Sequence, residues 1–249
     1  MHLVLDALSR RPFAVIGHRG AAGLALENTL TAFKKALEVG VDIVEFDIQL
    51  TADGIPVLLH DETLERIAGL HVNVRNTSFS ELKNVTLPGG EKIATLEELL
   101  ALDAGRLPLF IEIKHPGDTS RVLEVIAREK AIDYVAIISF HEEALRIARE
   151  RLPSIPRGLI YATPPGKIVE AKKLGCNIVL PRYTLATEKA VAFAHRLGLK
   201  VVAWTVNDVT TAVRLVKRNV DGIASDYPDR IVELRKKLSS QGWTRLTKQ

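Results

Sequence analysis

From position 13 almost to the end, short apolar runs rich in β-branched residues alternate with stretches whose apolar positions recur at helical spacing. The runs at 13–17, 43–47, 109–114, 135–139, 158–161, 178–181, 200–205 and 222–224 predict eight strands. The stretches at 28–39, 96–102, 119–130, 142–151, 167–174, 188–197, 209–218 and 230–238 predict helices between and after them. Several helices close on a glycine, as in Val39-Gly40, Leu174-Gly175 and Leu197-Gly198, the residue that lets a helix turn into the next strand. Strands that are apolar nearly throughout belong in a parallel sheet buried on both faces. Eight such units in 249 residues predict an α/β fold, a (β/α)8 TIM barrel, in one domain spanning 1–249. An open doubly wound sheet would carry fewer strands and a glycine-rich phosphate turn after the first, which Gly17-His18-Arg19-Gly20 is not.

One stretch departs from this rhythm. Positions 42–50 alternate apolar and polar, meet Asp53-Gly54, and resume as Ile55-Pro56-Val57-Leu58-Leu59. That pattern predicts a β-hairpin extension after strand two, beyond the barrel rim, because a two-residue turn cannot join parallel neighbours. A turn centred on Asp53-Gly54 sets Asp47 opposite His60. Positions 68–93 read as a long loop with weak structure.

Composition narrows the class. The chain is 47% hydrophobic and 26% charged, an ordinary globular balance, and no apolar stretch approaches a membrane span or a signal-peptide core. A cytoplasmic location and no stable membrane insertion are the expectations. The net charge of +4 is spread as Lys and Arg interleaved with Asp and Glu, which points to solvated helices and not to a nucleic-acid partner. The clearest basic stretch, Arg235-Lys236-Lys237 with the tail to Gln249, reads as a frayed terminus. Cys176, the single cysteine, excludes a disulfide framework and reads as a buried thiol.

The candidate chemistry sits at strand ends. His18 and Arg19 follow the first strand, Glu45 and Asp47 share one face of the second, Glu112 and Lys114 share one face of the third, and Trp204 ends the seventh. In a barrel those ends converge on the C-terminal face, where active sites lie. Glu45, Asp47 and Glu112 are hard oxygen ligands suited to Mg2+ or Ca2+. Arg19 and Lys114 suit the oxygens of a phosphate, leaving His18 and His60 to move protons. The bland reading of each residue is rim solvation or packing, and it must explain separately why they gather at four strand ends. His2, His71, His115, His141 and His195 are read as structural, His115 because it follows Lys114 and points the other way. Asp208 and Asp226 read as helix caps.

These residues also carry a resemblance. His18-Arg19-Gly20, Glu27-Asn28-Thr29, Glu45-x-Asp47, Asp53-Gly54 with His60-Asp61, Glu112-Ile113-Lys114, Trp204-Thr205-Val206-Asn207 and Ser225-Asp226-x-Pro228 resemble, in order, the glycerophosphodiester phosphodiesterase family. The likeness runs from about residue 13 to 229. It implies a (β/α)8 barrel that hydrolyses glycerophosphodiesters to sn-glycerol 3-phosphate and an alcohol with a divalent cation. By motif position it assigns acid–base catalysis to His18 and His60, the metal to Glu45, Asp47 and Glu112, and phosphate contacts to Arg19 and Lys114. Trp204 falls where the apolar face of glycerol would pack. Neither the headgroup nor which histidine is acid and which base follows from it. Leu26 stands where the family usually has a proline before Glu-Asn-Thr, a residue that would fix the entry to the first helix. The short stretch from His60 to Glu112 leaves little room for the insertion domain of some relatives and implies an open cleft. The alternative within this chemistry is phospholipase D-like cleavage of lysophospholipids, which needs an apolar groove for an acyl chain.

Overall fold

A computed structural model describes residues 2–240; the basic tail beyond Ser240 lies outside the described residues. Among the described residues nine strands form: β1 (Ala14–Gly17), β2 (Ile43–Leu50), β3 (Pro56–Leu58), β4 (Leu109–Ile113), β5 (Val135–Ser139), β6 (Arg157–Tyr161), β7 (Ile178–Pro181), β8 (Lys200–Ala203) and β9 (Gly222–Ser225). Eight of them run parallel in the order β1-β9-β8-β7-β6-β5-β4-β2, and β2 returns to β1 through Ile16↔Ile43 to close the barrel. The ninth, β3, pairs antiparallel on the outside of β2. This is the (β/α)8 barrel with its hairpin extension.

The two-residue period of each strand sorts its side chains into two layers. Ile16, Ile43, Phe110, Ile138, Ile160, Leu180 and Val202 turn inward and fill the barrel. Val15, Val44, Ile111, Ile137, Val179 and Ile223 turn outward, into one large core with the surrounding helices. A short helix that the sequence pattern does not announce, α1 (Leu3–Ala7), brings Val4 and Leu8 into the interior cluster. Inward-facing Gly158 of β6 makes room for its neighbours: a Cβ there would lie 2.5 Å from Leu180 Cδ1. Helix α2 (Leu30–Val39) starts at Thr29, whose Oγ1 accepts from Ala32 N at 3.1 Å and donates to the Leu26 carbonyl at 2.7 Å. The entry is therefore pinned without a proline. Among the described residues no helix is long and apolar enough to cross a membrane.

The hairpin register differs from the expectation by one residue. Ile48 pairs with Leu58 and Leu50 with Pro56, and Leu59 N donates to the Asp47 carbonyl at 3.1 Å, so Leu59, not His60, lies opposite Asp47. The loop has three residues, because Thr51 N bonds Ile55 O and Gly54 takes a left-handed φ of 75° to re-enter the strand. Residues 68–93 also differ from a loose loop. After α3 (Glu65–Ala68), the helical turns Val74–Asn76, Phe79–Leu82 and Pro88–Gly90 wrap a satellite core of Leu64, Ile67, Val74, Leu82, Leu87 and Ile93. Val57 and Leu59 supply its floor and Leu26 packs against it.

Candidate active site

The inward parity of β2 and β4 continues past their apolar residues into carboxylates. Asp47 pairs in register with Glu112, and Glu45 lies two residues earlier on the same face of β2. One oxygen from each of Glu45, Asp47 and Glu112 lies within 4.8 Å of the others, and all three residues are buried. Lys114, just past β4, places Nζ 2.6 Å from Glu112 Oε1 and 2.8 Å from Asp47 Oδ1. Arg19, just past β1, donates its backbone N–H to Glu45 Oε2 at 2.8 Å and sets Nε 3.3 Å from Asp47 Oδ2. Asn28 brackets Asp47, donating from Nδ2 to Oδ2 at 3.0 Å and accepting the Asp47 N–H at 3.1 Å. Arg19 and Asn28 hold left-handed φ values of 50° and 56°, a conformation that costs a residue such as Arg19 about 1–2 kcal/mol and that asparagine adopts more readily. Both make contacts to the cluster from it.

The charges are not balanced. Three carboxylates face two cations, and Glu45 Oε1 is buried with no hydrogen-bond partner among the described residues. Burial, then the Asp47 charge, pushes Glu45 up to about 8; burial and Asp47 likewise push Glu112 up to about 7. Burial would raise Asp47 too, but Lys114 and Arg19 outweigh it and hold Asp47 below the usual carboxylate range. A cluster with an orphaned oxygen and two carboxyls forced toward neutrality fits a divalent cation, which would relieve both.

The two histidines flank this cluster in matched fashion. His18 Nδ1 is 2.6 Å from Asp226 Oδ1, and its Nε2 lies 3.8 Å from Glu45 Oε2. Asp226 is itself fixed by Asn207, whose Nδ2 donates to Oδ2 at 2.7 Å and whose Oδ1 accepts the Asp226 N–H at 2.9 Å. His60 Nδ1 is 2.6 Å from Asp61 Oδ1. Burial pushes His18 down, but the hydrogen bond to Asp226 and the charge of Glu45 win and raise it. His60 is lowered, by burial first and by Lys114 and Arg19 against the pull of Asp47.

Seven of the eight residues singled out from the sequence line one cavity of about 150 Å3: His18, Arg19, Glu45, His60, Glu112, Lys114 and Trp204. Asp47 sits behind it, held by its polar neighbours. The cavity's remaining walls are apolar. Trp204 Nε1 donates to the Leu180 carbonyl at 2.7 Å, and Phe140 meets the Trp204 ring edge-on at 5.6 Å. His115 turns away, to Glu62 at 2.9 Å.

Sequence reasoning gave no site role to several residues here, among them Asn28, which brackets Asp47, and Asn207, which fixes Asp226. Asp208 does cap a helix, accepting from Thr211 N, but Asp226 holds His18. Barrel closure was the available signal, since it makes the last strand the neighbour of the first: His18 N bonds Ser225 O at 3.0 Å. Glu27 and Asp61 stand in the motifs Glu27-Asn28-Thr29 and His60-Asp61 that carry the resemblance, but without a role of their own, and Phe140 carried no signal.

Known proteins resemble this chain along most of its length. The model of the glycerophosphoryl diester phosphodiesterase family matches residues 18–230. A glycerophosphodiester phosphodiesterase of Caldanaerobacter subterraneus is 32% identical over 240 residues, 90% of this chain and 98% of its own. A solved Oleispira antarctica phosphodiesterase, in complex with the product sn-glycerol 3-phosphate, is 30% identical with a TM-score of 0.83, over 89% of this chain and 96% of that one. A solved glycerophosphodiester phosphodiesterase from Thermotoga maritima is 31% identical with a TM-score of 0.78, over 90% and 98%. With the family's match running through every strand end that builds the cavity, this chain belongs to the glycerophosphoryl diester phosphodiesterase family and is an enzyme of that class.

Proposed function

We propose that the chain hydrolyses small, deacylated glycerophosphodiesters to sn-glycerol 3-phosphate and an alcohol, using a divalent cation, Mg2+ or Ca2+, held by Glu45, Asp47 and Glu112. The observation that carries this reading is the placement of that buried triad between two imidazoles whose Nδ1 atoms are both engaged by carboxylates. Each imidazole thus keeps Nε2 for the substrate. The cation would supply charge neutralisation at a phosphate oxygen. Arg19 and Lys114 bind the two non-bridging oxygens alongside it, and their fixed positive charge stabilises the extra negative charge that develops in the transition state. Opposite environments divide the histidines' work. His60, kept neutral, accepts a proton from the attacking hydroxyl, of water or of the substrate's own glycerol. His18, whose hold on a proton is strengthened by Asp226, gives its Nε2 proton to the departing alkoxide.

The cavity's size favours a deacylated substrate. A space of about 150 Å3 takes a group on the scale of benzene, six heavy atoms, which is also the count for glycerol. Trp204 and Phe140 would cover the apolar edge of that glycerol. A long acyl chain exceeds that space and would have to run out of its open mouth.

The test is release of sn-glycerol 3-phosphate from glycerophosphocholine, glycerophosphoethanolamine and glycerophosphoglycerol, beside lysophosphatidylcholine, each with and without chelator. We expect the three deacylated substrates within about tenfold of one another, or about 1.4 kcal/mol in transition-state binding. Trp204→Ala should slow all three alike. Preference for the lysolipid, or full turnover after verified metal removal, overturns the reading.

A further inference from the structure

Arg66 lies on α3 in the satellite segment and lines neither the cavity nor the carboxylate cluster. All three guanidinium nitrogens are nonetheless spent on the site. Nη1 and Nη2 donate to Glu27 Oε2 and Oε1 at 3.0 and 2.6 Å, and Nε donates to Asp61 Oδ2 at 2.6 Å. Asp61 Oδ1 holds His60 Nδ1 at 2.6 Å, and Glu27 Oε1 also accepts from Arg19 Nη1 at 2.9 Å. A continuous chain of contacts, His60–Asp61–Arg66–Glu27–Arg19, therefore ties the loop after β3 to the loop after β1.

The Glu27 carboxylate is contested. Facing Arg19 alone, it would close a two-pronged pair with that guanidinium and neutralise it. Arg66 takes both Glu27 oxygens, leaving Arg19 a single hydrogen bond. Asp61 is divided in the same way, one oxygen to His60 and one to Arg66, which fixes the carboxylate plane against which the imidazole is set. Only a planar, three-sided donor serves both acids at once; a lysine ammonium presents a point charge. The backbone that carries Arg66 is held by packing, since Ile67 and Leu64 on either side are buried in the satellite core.

We propose that Arg66 is a positioning residue that sets the His60 imidazole through Asp61 and keeps Arg19 free for an anionic phosphate group through Glu27, a role that rests on the phosphodiester reading above. The satellite segment is then a working part of the active site, delivering a clamp across its mouth. The two branches have different kinetic signatures. The Asp61 branch acts on proton transfer and so on kcat; the Glu27 branch acts on phosphate binding and so on KM and on the affinity for sn-glycerol 3-phosphate.

The experiment compares wild type with Arg66→Met, Arg66→Lys and the double variant Glu27→Gln/Arg66→Met. It measures kcat and KM for glycerophosphocholine, sn-glycerol 3-phosphate binding by calorimetry, and the melting temperature. Arg66→Met should lower kcat by about 10–100-fold, the range for residues that orient catalytic side chains, and weaken product binding. Arg66→Lys should recover little of either. Adding Glu27→Gln should restore product affinity while kcat stays low, a split that a merely structural role for Arg66 would not produce. If Arg66→Met melts well below wild type, Arg66→Lys, which keeps the stem and the charge, carries the test. Full activity of Arg66→Lys, or parallel loss of kcat and affinity that Glu27→Gln leaves untouched, overturns the proposal. A wild type that neither turns over glycerophosphocholine nor binds sn-glycerol 3-phosphate refutes the proposed function itself; normal wild-type behaviour with an unaffected Arg66→Met refutes only the role of Arg66.

Discussion

Replacing Asp226 by asparagine changes one atom at the least conspicuous point of the site and should have a large effect. Asp226 accepts on both oxygens, from His18 Nδ1 at 2.6 Å and from Asn207 Nδ2 at 2.7 Å. An asparagine must turn its NH2 toward one of these donors. Facing Asn207 it sets donor against donor; facing His18 it forces Nδ1 to become an acceptor and moves the neutral imidazole's proton to Nε2. Either way the charge-assisted bond that holds protonated His18 is lost. Such a bond contributes about 1.5–3 kcal/mol, which at about 1.4 kcal/mol per decade is roughly a 10–150-fold fall in kcat. Because Asp226 touches neither the carboxylate triad nor Lys114, KM should stay within about twofold. The pH dependence moves too. His18 stands above 6.5 although burial pushes it down, because Asp226 and Glu45 push it up. Neutralising Asp226 removes the larger upward push, so His18 loses its proton at lower pH and the alkaline limb of the rate profile shifts to lower pH. Steady-state release of sn-glycerol 3-phosphate across pH, with melting curves as a control on folding, measures this. A kcat within about threefold of wild type, or an unmoved alkaline limb, would refute the assignment of Asp226 and the acid role of His18.

Other expectations are briefer. A divalent cation should raise the melting temperature, and the increment should grow with pH. In the cation-free protein Glu45 and Glu112 are raised from 4.5 to about 8 and about 7, so the stability they contribute is present below 4.5 and lost as pH rises through those values. The cation binds their ionised forms; melting curves with and without Mg2+ or Ca2+ at several pH values check it, and a pH-independent increment refutes it. His60→Ala should cut kcat by about 10²-fold or more, whereas His115→Ala, whose imidazole pairs with Glu62, should stay within about threefold; equal losses would sink the assignment. Gly158→Ala should destabilise by about 1–3 kcal/mol through overpacking, read as a lower melting temperature, because its Cβ would lie 2.5 Å from Leu180 Cδ1 in a filled barrel interior.

Much of this protein is written locally. Short runs apolar nearly throughout and helical stretches closing on glycine determined the barrel, since strands buried on both faces need helices to cover them and eight such units have few other ways to cover one another. The same parity put Glu45 with Asp47 and Glu112 with Lys114, because strand neighbours two apart share a face whatever the partner strand. What tertiary structure decided is everything that depends on which elements meet. The loop of the β2–β3 hairpin has three residues and not two, a choice between close-lying turns that shifts His60 by one place while the folded excursion still carries it to the cavity. Residues 68–93 carry no strong period, yet they close a satellite core once the outer face of the hairpin gives them a floor. Asp226 looks like a helix cap until barrel closure sets the last strand beside the first. Arg66 looks like a surface charge on a one-turn helix until Glu27 and Asp61 arrive from two separate loops. Local pattern encodes which way a side chain points; only packing decides what it finds there.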